Sequence, residues 1–438
     1  MKNSLLMDKV HTYLKENNFY AYRETWPKLA ENFLQEYIDA AVPSNKRNLV
    51  IDKTWKAIQS FGPQRDLIIL ELGGSYLKLF KAEIGPKNKI YTHKHQSYQF
   101  YEDQVYTPEI LFKSIKKQLD AFMSDEGNPE NLKSAVFIFT FPIEQIVRED
   151  GYIDAICTYF GKTRKSSGIV GMQVGISLQN YLRENGYPNI TISVTNDTPI
   201  GLLSAKAIEI QHQTNFDAVI NIIVGTGTNI AVGHNILMNG KNSFLIANTE
   251  FGNFKSVPAS TFDEILNGMV DSKDQYLTEK MVSGVWQHQV FKVILKKALE
   301  EKLVNADEVA KLHTENMDSG DIERFFRSHA AKNESLQILE MIWYEITQRG
   351  ATICGITLAN IMIQLLKDLN MSHINIGIIE VGSVIEKAHN FKKVLLDTID
   401  TELARHEASS KIKYYFHNPS FQSVLGSAIF DSLFYKQI

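Results

Sequence analysis

Three carboxylates and two glycine turns are the groups in this chain best suited to chemistry. Asp197 lies in Thr195-Asn196-Asp197-Thr198, just after the apolar run 189–194. Glu250 lies in Asn248-Thr249-Glu250-Phe251-Gly252, after the apolar run 244–247, and Glu279 in Thr278-Glu279-Lys280-Met281-Val282-Ser283-Gly284. A carboxylate at the carboxyl end of a strand sits where α/β sheets bind ligands, and it could serve there as a general base. Asp197 also suits a plain helix cap, which contributes about 1 kcal/mol, and Glu279 taken alone suits a solvated helix position. The glycine turns are Leu70-Glu71-Leu72-Gly73-Gly74-Ser75 and Gly225-Thr226-Gly227-Thr228-Asn229. Glycine is the default residue for a tight hairpin turn. The same bare backbone can turn its N–H groups on phosphate. Two such turns, each after a buried strand, favour the phosphate reading over coincidence.

Those groups need strands that end beside them. Residues 67–72 form a continuous apolar run and 76–84 alternate with period two, which predicts a hairpin about Gly73 and Gly74. Residues 218–224 and 230–234 repeat that unit about Gly225 and Gly227. Further buried strands are expected at 135–141, 189–194 and 374–381. Helices are expected over 4–60, 108–123, 170–182, 199–210, 261–350 and, separately, 354–368. Phe61-Gly62-Pro63 breaks the first of these. Two hairpin-plus-helix units in series predict an α/β protein of two lobes with a cleft between them.

Composition narrows the function classes. The 438 residues are 44% hydrophobic and 22% charged, with net charge −4. That balance makes no electrostatic case for nucleic acid or an anionic membrane. Two cysteines, Cys157 and Cys354, make no disulfide framework, and no Cys/His spacing suits zinc. Charge interrupts the amino terminus too early for a signal segment, and no stretch reaches the ~20 apolar residues of a membrane span. A soluble cytoplasmic protein is expected, with no nucleic-acid partner and no membrane span.

Phe139-Thr140-Phe141-Pro142, Asn196-Asp197-Thr198, Gly225-Thr226-Gly227-Thr228-Asn229, Asn248-Thr249-Glu250-Phe251-Gly252 and Glu279-Lys280-Met281-Val282-Ser283-Gly284 occur in this order. Together they resemble the eukaryotic hexokinase/glucokinase family, over roughly residues 20–438. The resemblance implies a two-lobed actin-like ATPase (ribonuclease H-like) fold with the sugar site in the interlobe cleft. Residues 1–65 would be a helical segment packed on the large lobe. Residues 66–197 with about 420–438 would form the small lobe, and 198–419 the large lobe.

It implies an ATP-dependent hexokinase acting on the 6-hydroxyl of glucose or a related hexose, the first step of glycolysis, as a monomer or homodimer. Asp197 matches the family's base. Asn196, Asn229, Glu250 and Glu279 match residues that hold the other sugar hydroxyls, and Thr140 stands at a sugar-contacting serine. Lys165-Ser166-Ser167-Gly168-Ile169-Val170-Gly171 resembles the stretch after the family's sugar-binding lysine motif. Gly161-Lys162-Thr163-Arg164 then takes that motif's place, with Lys162 as a sugar-binding and catalytic cation. Gly73, Gly74, Ser75, Lys78, Gly225, Thr226, Gly227 and Thr228 would hold ATP phosphates. Mg2+ would come with ATP, through water to Glu71 and Asp197.

The departures gather on the nucleotide side. Glu71 replaces the family's aspartate, Tyr76 its asparagine and Lys78 its arginine. The adenine-side motif is reduced to Val381-Gly382-Ser383, with Glu380 one position early. A later glycine-rich turn is reduced to Gln422-Ser423-Val424-Leu425-Gly426. Two alternatives therefore stand: a weakened, hexokinase-like sugar sensor, and a kinase for a modified hexose such as N-acetylglucosamine.

Overall fold

A computed structural model describes residues 2–73, 76–99, 105–125, 129–160, 165–328 and 333–434. The described residues form one five-stranded and one six-stranded sheet, with two small two-stranded ones. The five-stranded sheet runs, in spatial order, Thr191–Thr195, Ser134–Phe139, Arg65–Leu72, Tyr76–Ile84 and Ile90–Gln99. Its first three strands are parallel. Parallel strands covered on both faces read as unbroken apolar runs, and every residue of Ser134–Phe139 is buried. The registers Leu72↔Phe139 and Thr195↔Ile138 make all three strands stop at one edge.

The six-stranded sheet runs Leu49–Ile51, Lys241–Asn248, Thr228–Met238, Ala218–Val224, Ile374–Val381 and Ile412–His417. Ala218–Val224 and Ile374–Val381 are parallel, with Ile223 opposite Val381, so they too end together.

The helices Asp197–His212 and Gln422–Phe434 pack on each other between the sheets. Ile200, Leu203, Ala428 and Ile429 share one core with Ile69 and Val136 of the first sheet and Val219, Ile246 and Ile379 of the second. Here the expectation for Gly426 is corrected. It is not at a turn facing nucleotide but inside the helix Gln422–Phe434, where a Cβ would fall 1.9 Å from the Ile200 carbonyl oxygen. Its bare backbone brings the two helices together. Gly426→Ala is expected to destabilise the fold by about 1–3 kcal/mol or more, the usual range for overpacking. Chemical denaturation measures this, and an unchanged midpoint would refute the close contact.

Three other expectations change. The helical reading of 4–60 holds through the helices Lys2–Glu16, Ala21–Glu24 and Trp26–Ala40 and fails beyond them. Leu49–Ile51 is an edge strand antiparallel to Phe244, Leu245 and Ile246, because Pro43 lies just past the helix end and the β-branched pair Val50-Ile51 suits a sheet. Residues 354–368 are not a separate helix. They are the second half of the 35-residue helix Glu334–Asp368, which is apolar on nearly every side because other elements surround it. By length and composition it alone among the described helices could cross a membrane, against the expectation of none, yet 83% of its apolar window is buried inside the protein.

Candidate active site

The strand ends determine the site. Past Thr195, Asn196 takes extended backbone, and its Oδ1 accepts the Thr198 N–H at 3.1 Å, so it caps the helix Asp197–His212. Its Nδ2 donates to the carbonyls of Phe139 at 3.2 Å and Phe141 at 3.5 Å. The Asn196 amide, expected on a sugar hydroxyl, thus bonds to helix and strand, which fixes its orientation at the strand end. The cap role weighed for Asp197 goes to its neighbour. Asp197 becomes the first helical residue, where the helix N-terminus favours negative charge.

From Asp197 a chain of hydrogen bonds crosses to the other sheet. The Thr198 hydroxyl donates to Asp197 Oδ1 at 3.3 Å and accepts from Asn229 Nδ2 at 3.0 Å. Asn229 Nδ2 also donates to Asn248 Oδ1 at 2.8 Å, and Asn248 Nδ2 donates to Glu250 Oε1 at 3.0 Å. Asn229 Oδ1 accepts from the N–H groups of Ile230 and Phe251 at 2.8 and 3.1 Å, which fixes the amide's orientation. Glu279 Oε2 accepts the Thr228 N–H at 3.2 Å. The structure therefore gathers Asp197, Asn229, Glu250 and Glu279 around one network. Thr198 and Asn248, which complete it, were visible in the motifs only as neighbours of the named residues.

Thr140 follows the strand Ser134–Phe139 and donates its N–H to the Leu72 carbonyl at 3.2 Å, and a Cβ on Gly73 would lie 4.0 Å from its Oγ1. Gly73 and Thr140 thus share the edge that carries Asp197. Gly74, Ser75 and Lys162 lie outside the described residues.

On the nucleotide side, Glu71 and Lys78 are cross-strand partners. Lys78 Nζ donates to Glu71 Oε1 at 2.6 Å, and the Ser423 hydroxyl donates to Glu71 Oε2 at 2.7 Å. The cation expected on phosphate and the acid expected near magnesium therefore hold each other. Gly225 and Gly382 meet at the ends of parallel strands, where a Cβ on Gly225 would lie 3.3 Å from Gly382 Cα. The Gly225 N–H donates to the Gly227 carbonyl at 2.9 Å, and the Gly225 carbonyl accepts the Gly284 N–H at 2.7 Å. Thr226 is exposed at the turn.

Thr228, expected on phosphate, is instead turned inward. Its hydroxyl donates to the Ile223 carbonyl at 3.0 Å and its N–H to Glu279. Ser383 opens the short helix Ser383–Lys387. Glu380 forms an ion pair with Lys392, whose ammonium lies 3.2 Å from the Phe416 ring centroid. Burial lowers the Lys392 pKa, and the hydrogen bond it donates to Glu380 opposes that shift. No group of three or more His, Cys, Asp or Glu side chains among the described residues could cage a metal ion.

Two hexokinase family models match the sequence in tandem, over residues 23–208 and 219–431. The chain belongs to the hexokinase family. It is 26% identical over 260 residues to a tobacco (Nicotiana tabacum) hexokinase-1, a match covering 55% of this chain and 50% of that protein. It is 28% identical over 269 residues to human hexokinase-1, covering 57% of this chain and 27% of that protein. The matched stretch thus spans half the length or less of these curated relatives.

In fold it is similar to a hexokinase from Schistosoma mansoni complexed with glucose, with TM-score 0.71 and 20% identity, over 99% of this chain and 100% of that one. A ROK family glucokinase from Streptomyces griseus in complex with glucose and AMPPNP gives TM-score 0.51 at 15% identity, over 83% and 98%. The hexokinase-family fold of this chain is therefore that of the two-lobed actin-like ATPases.

Proposed function

We propose that this chain is an ATP-dependent hexokinase that phosphorylates the 6-hydroxyl of glucose or a related hexose. The observation that carries the reading is the hydrogen-bonded line from Asp197 through Thr198, Asn229 and Asn248 to Glu250. It joins a carboxylate suited to a base with the groups suited to holding a ring of hydroxyls. The glucose named with the Schistosoma and Streptomyces structures supports it as well.

In the reaction the Asp197 carboxylate takes the proton of the 6-hydroxyl as its oxygen bonds to the γ-phosphorus. The bond from that phosphorus to the bridging oxygen breaks, and ADP leaves. Asn229, Glu250 and Glu279 orient the sugar for in-line attack. ATP with its Mg2+ supplies the phosphoryl group. The residues present fit it: Gly73 and Gly225 leave bare backbone at two strand ends, and Gly382 packs beside Gly225. Mg2+ is commonly held by substrate phosphates with one or two carboxylates rather than by a protein cage. The two buried, unbridged cysteines accord with work in the cytoplasm.

A coupled assay of glucose phosphorylation with ATP and magnesium tests the reading. Turnover is the expected result. Sugar binding without turnover would overturn the enzyme and favour the sugar sensor, which the Glu71–Lys78–Ser423 pairing specifically supports.

Lys78→Met provides a second test. If phosphate draws Lys78 away from Glu71, the KM for ATP rises by about 10-fold or more, the loss of one hydrogen bond to a charged group. Sugar affinity stays unchanged. An unaltered KM for ATP would show that Lys78 serves only Glu71.

A further inference from the structure

We propose that Tyr276 decides which hexose the site accepts, its ring closing the end held by Glu250 and Glu279 against sugars that carry a bulky acylamino group on C2. The inference rests on the hexokinase reading above. Asp197 addresses the 6-hydroxyl, whose carbon is attached to C5. In a pyranose the ring atom opposite C5 is C2. The far end of the hydrogen-bonded line, at Glu250, therefore faces C2 and its neighbours.

Tyr276 stands at that end. It immediately precedes the helix Leu277–Val282, which carries Glu279, and its carbonyl accepts the Lys280 N–H at 3.0 Å. The Thr278 hydroxyl and N–H both donate to the Phe254 carbonyl, at 2.7 and 3.3 Å, which pins this helix to the turn Phe251–Asn253 after Glu250. Space there is tight, since a Cβ on Gly252 would lie 3.1 Å from Glu279 Cβ. Tyr276 is half-buried. Burial pushes its hydroxyl up to about 12, with the Glu250, Tyr159 and Glu279 charges adding and Arg47 opposing. At neutral pH its hydroxyl is uncharged and within electrostatic reach of both carboxylates.

Tyr276 has φ 53° and ψ 41°, in the left-handed region that bulky residues rarely adopt. The turn itself suits glycine or asparagine. What a tyrosine adds is a ring at the wall of the site.

The experiment is calorimetric titration of the full chain with glucose and with N-acetylglucosamine, for wild type, Tyr276→Phe and Tyr276→Gly. Wild type is expected to bind glucose more tightly by about 10-fold or more, the scale of steric discrimination in a pocket. Tyr276→Phe keeps that ratio because the ring remains. Tyr276→Gly, which suits the backbone, shrinks it by about 10-fold, mainly through tighter N-acetylglucosamine binding. An unchanged ratio in Tyr276→Gly, or equal binding of both sugars by wild type, overturns the proposal while leaving the hexokinase reading intact. Binding of neither sugar by folded wild type overturns the hexokinase reading itself. Should Tyr276→Gly fail to fold, Tyr276→Asn replaces it, since asparagine tolerates the same backbone. A merely structural role for Tyr276 would weaken both sugars alike and leave the ratio unmoved.

Discussion

Asp197→Ala is expected to lower kcat by on the order of 10²–10⁴-fold, the range for loss of a general base, with little change in sugar affinity. The argument lies in how Asp197 is held. Asn196 makes the capping bond, so the helix beginning at Asp197 keeps its cap in the variant. Asn229, Glu250 and Glu279 keep their own partners, Asn248 and Thr228 among them, so the hydroxyl-orienting groups stay in place. The proton acceptor for the 6-hydroxyl is removed, and with it the acceptor of the Thr198 hydroxyl, which still receives Asn229 Nδ2. Asp197→Asn keeps the shape and lacks the basicity, and it should match the alanine variant in kcat. Initial rates in the coupled assay, with glucose titrations of each variant, separate chemistry from binding. A kcat within a few-fold of wild type would remove Asp197 from the base role.

How much of this was legible beforehand depended on whether the signal was local. The strands ending at Leu72, Phe139, Thr195 and Val224 announced themselves as apolar runs, and the chemistry-bearing residues follow them directly. The choice between Asn196 and Asp197 as cap was not legible, because asparagine and aspartate cap helices about equally well. Nor was the inward turn of Thr228, fixed by Glu279 about fifty residues later. The contact of Asn229 with Asn248 depends on antiparallel strand register and that of Gly426 with Ile200 on helix packing, neither of which composition encodes. The left-handed backbone of Tyr276 is invisible in sequence, because tyrosine is a residue type that disfavours it. The long helix Glu334–Asp368, expected as two pieces parted between 350 and 354, contains Gly350 and Gly355 near that division. In the fold they are buried sites where neighbouring elements approach, Thr398 closely at Gly355.

The second large effect expected is on stability. Arg349, on that long helix, is 1% exposed and makes a two-pronged bond to Asp263, Nη1 to Oδ2 at 2.7 Å and Nη2 to Oδ1 at 3.0 Å. Its guanidinium also lies 4.3 Å from the Phe19 ring centroid, so three parts of the chain meet at one charge. Asp263 accepts the N–H and hydroxyl of Ser260 as well, completing the capping box of the helix Thr261–Met269. Arg349→Leu leaves a buried carboxylate without its cation, which costs about 3–5 kcal/mol. Asp263→Leu strands the guanidinium and removes the capping box, and it should cost at least as much. The double variant leaves no lone charge in the core and should be destabilised by less than the sum of the two, since a buried pair exchanged for apolar groups is often neutral. Denaturant unfolding of the four proteins tests this, and additive losses would show that the pair does not act as a unit. The effect should reach the sugar site. Asn267, on the capped helix, accepts from Lys280 Nζ at 2.8 Å, and Lys280 adjoins Glu279. A loosened helix Thr261–Met269 lets Glu279 shift, so the surviving folded enzyme should show a raised KM for sugar and a smaller change in kcat, the reverse of the pattern expected for Asp197→Ala.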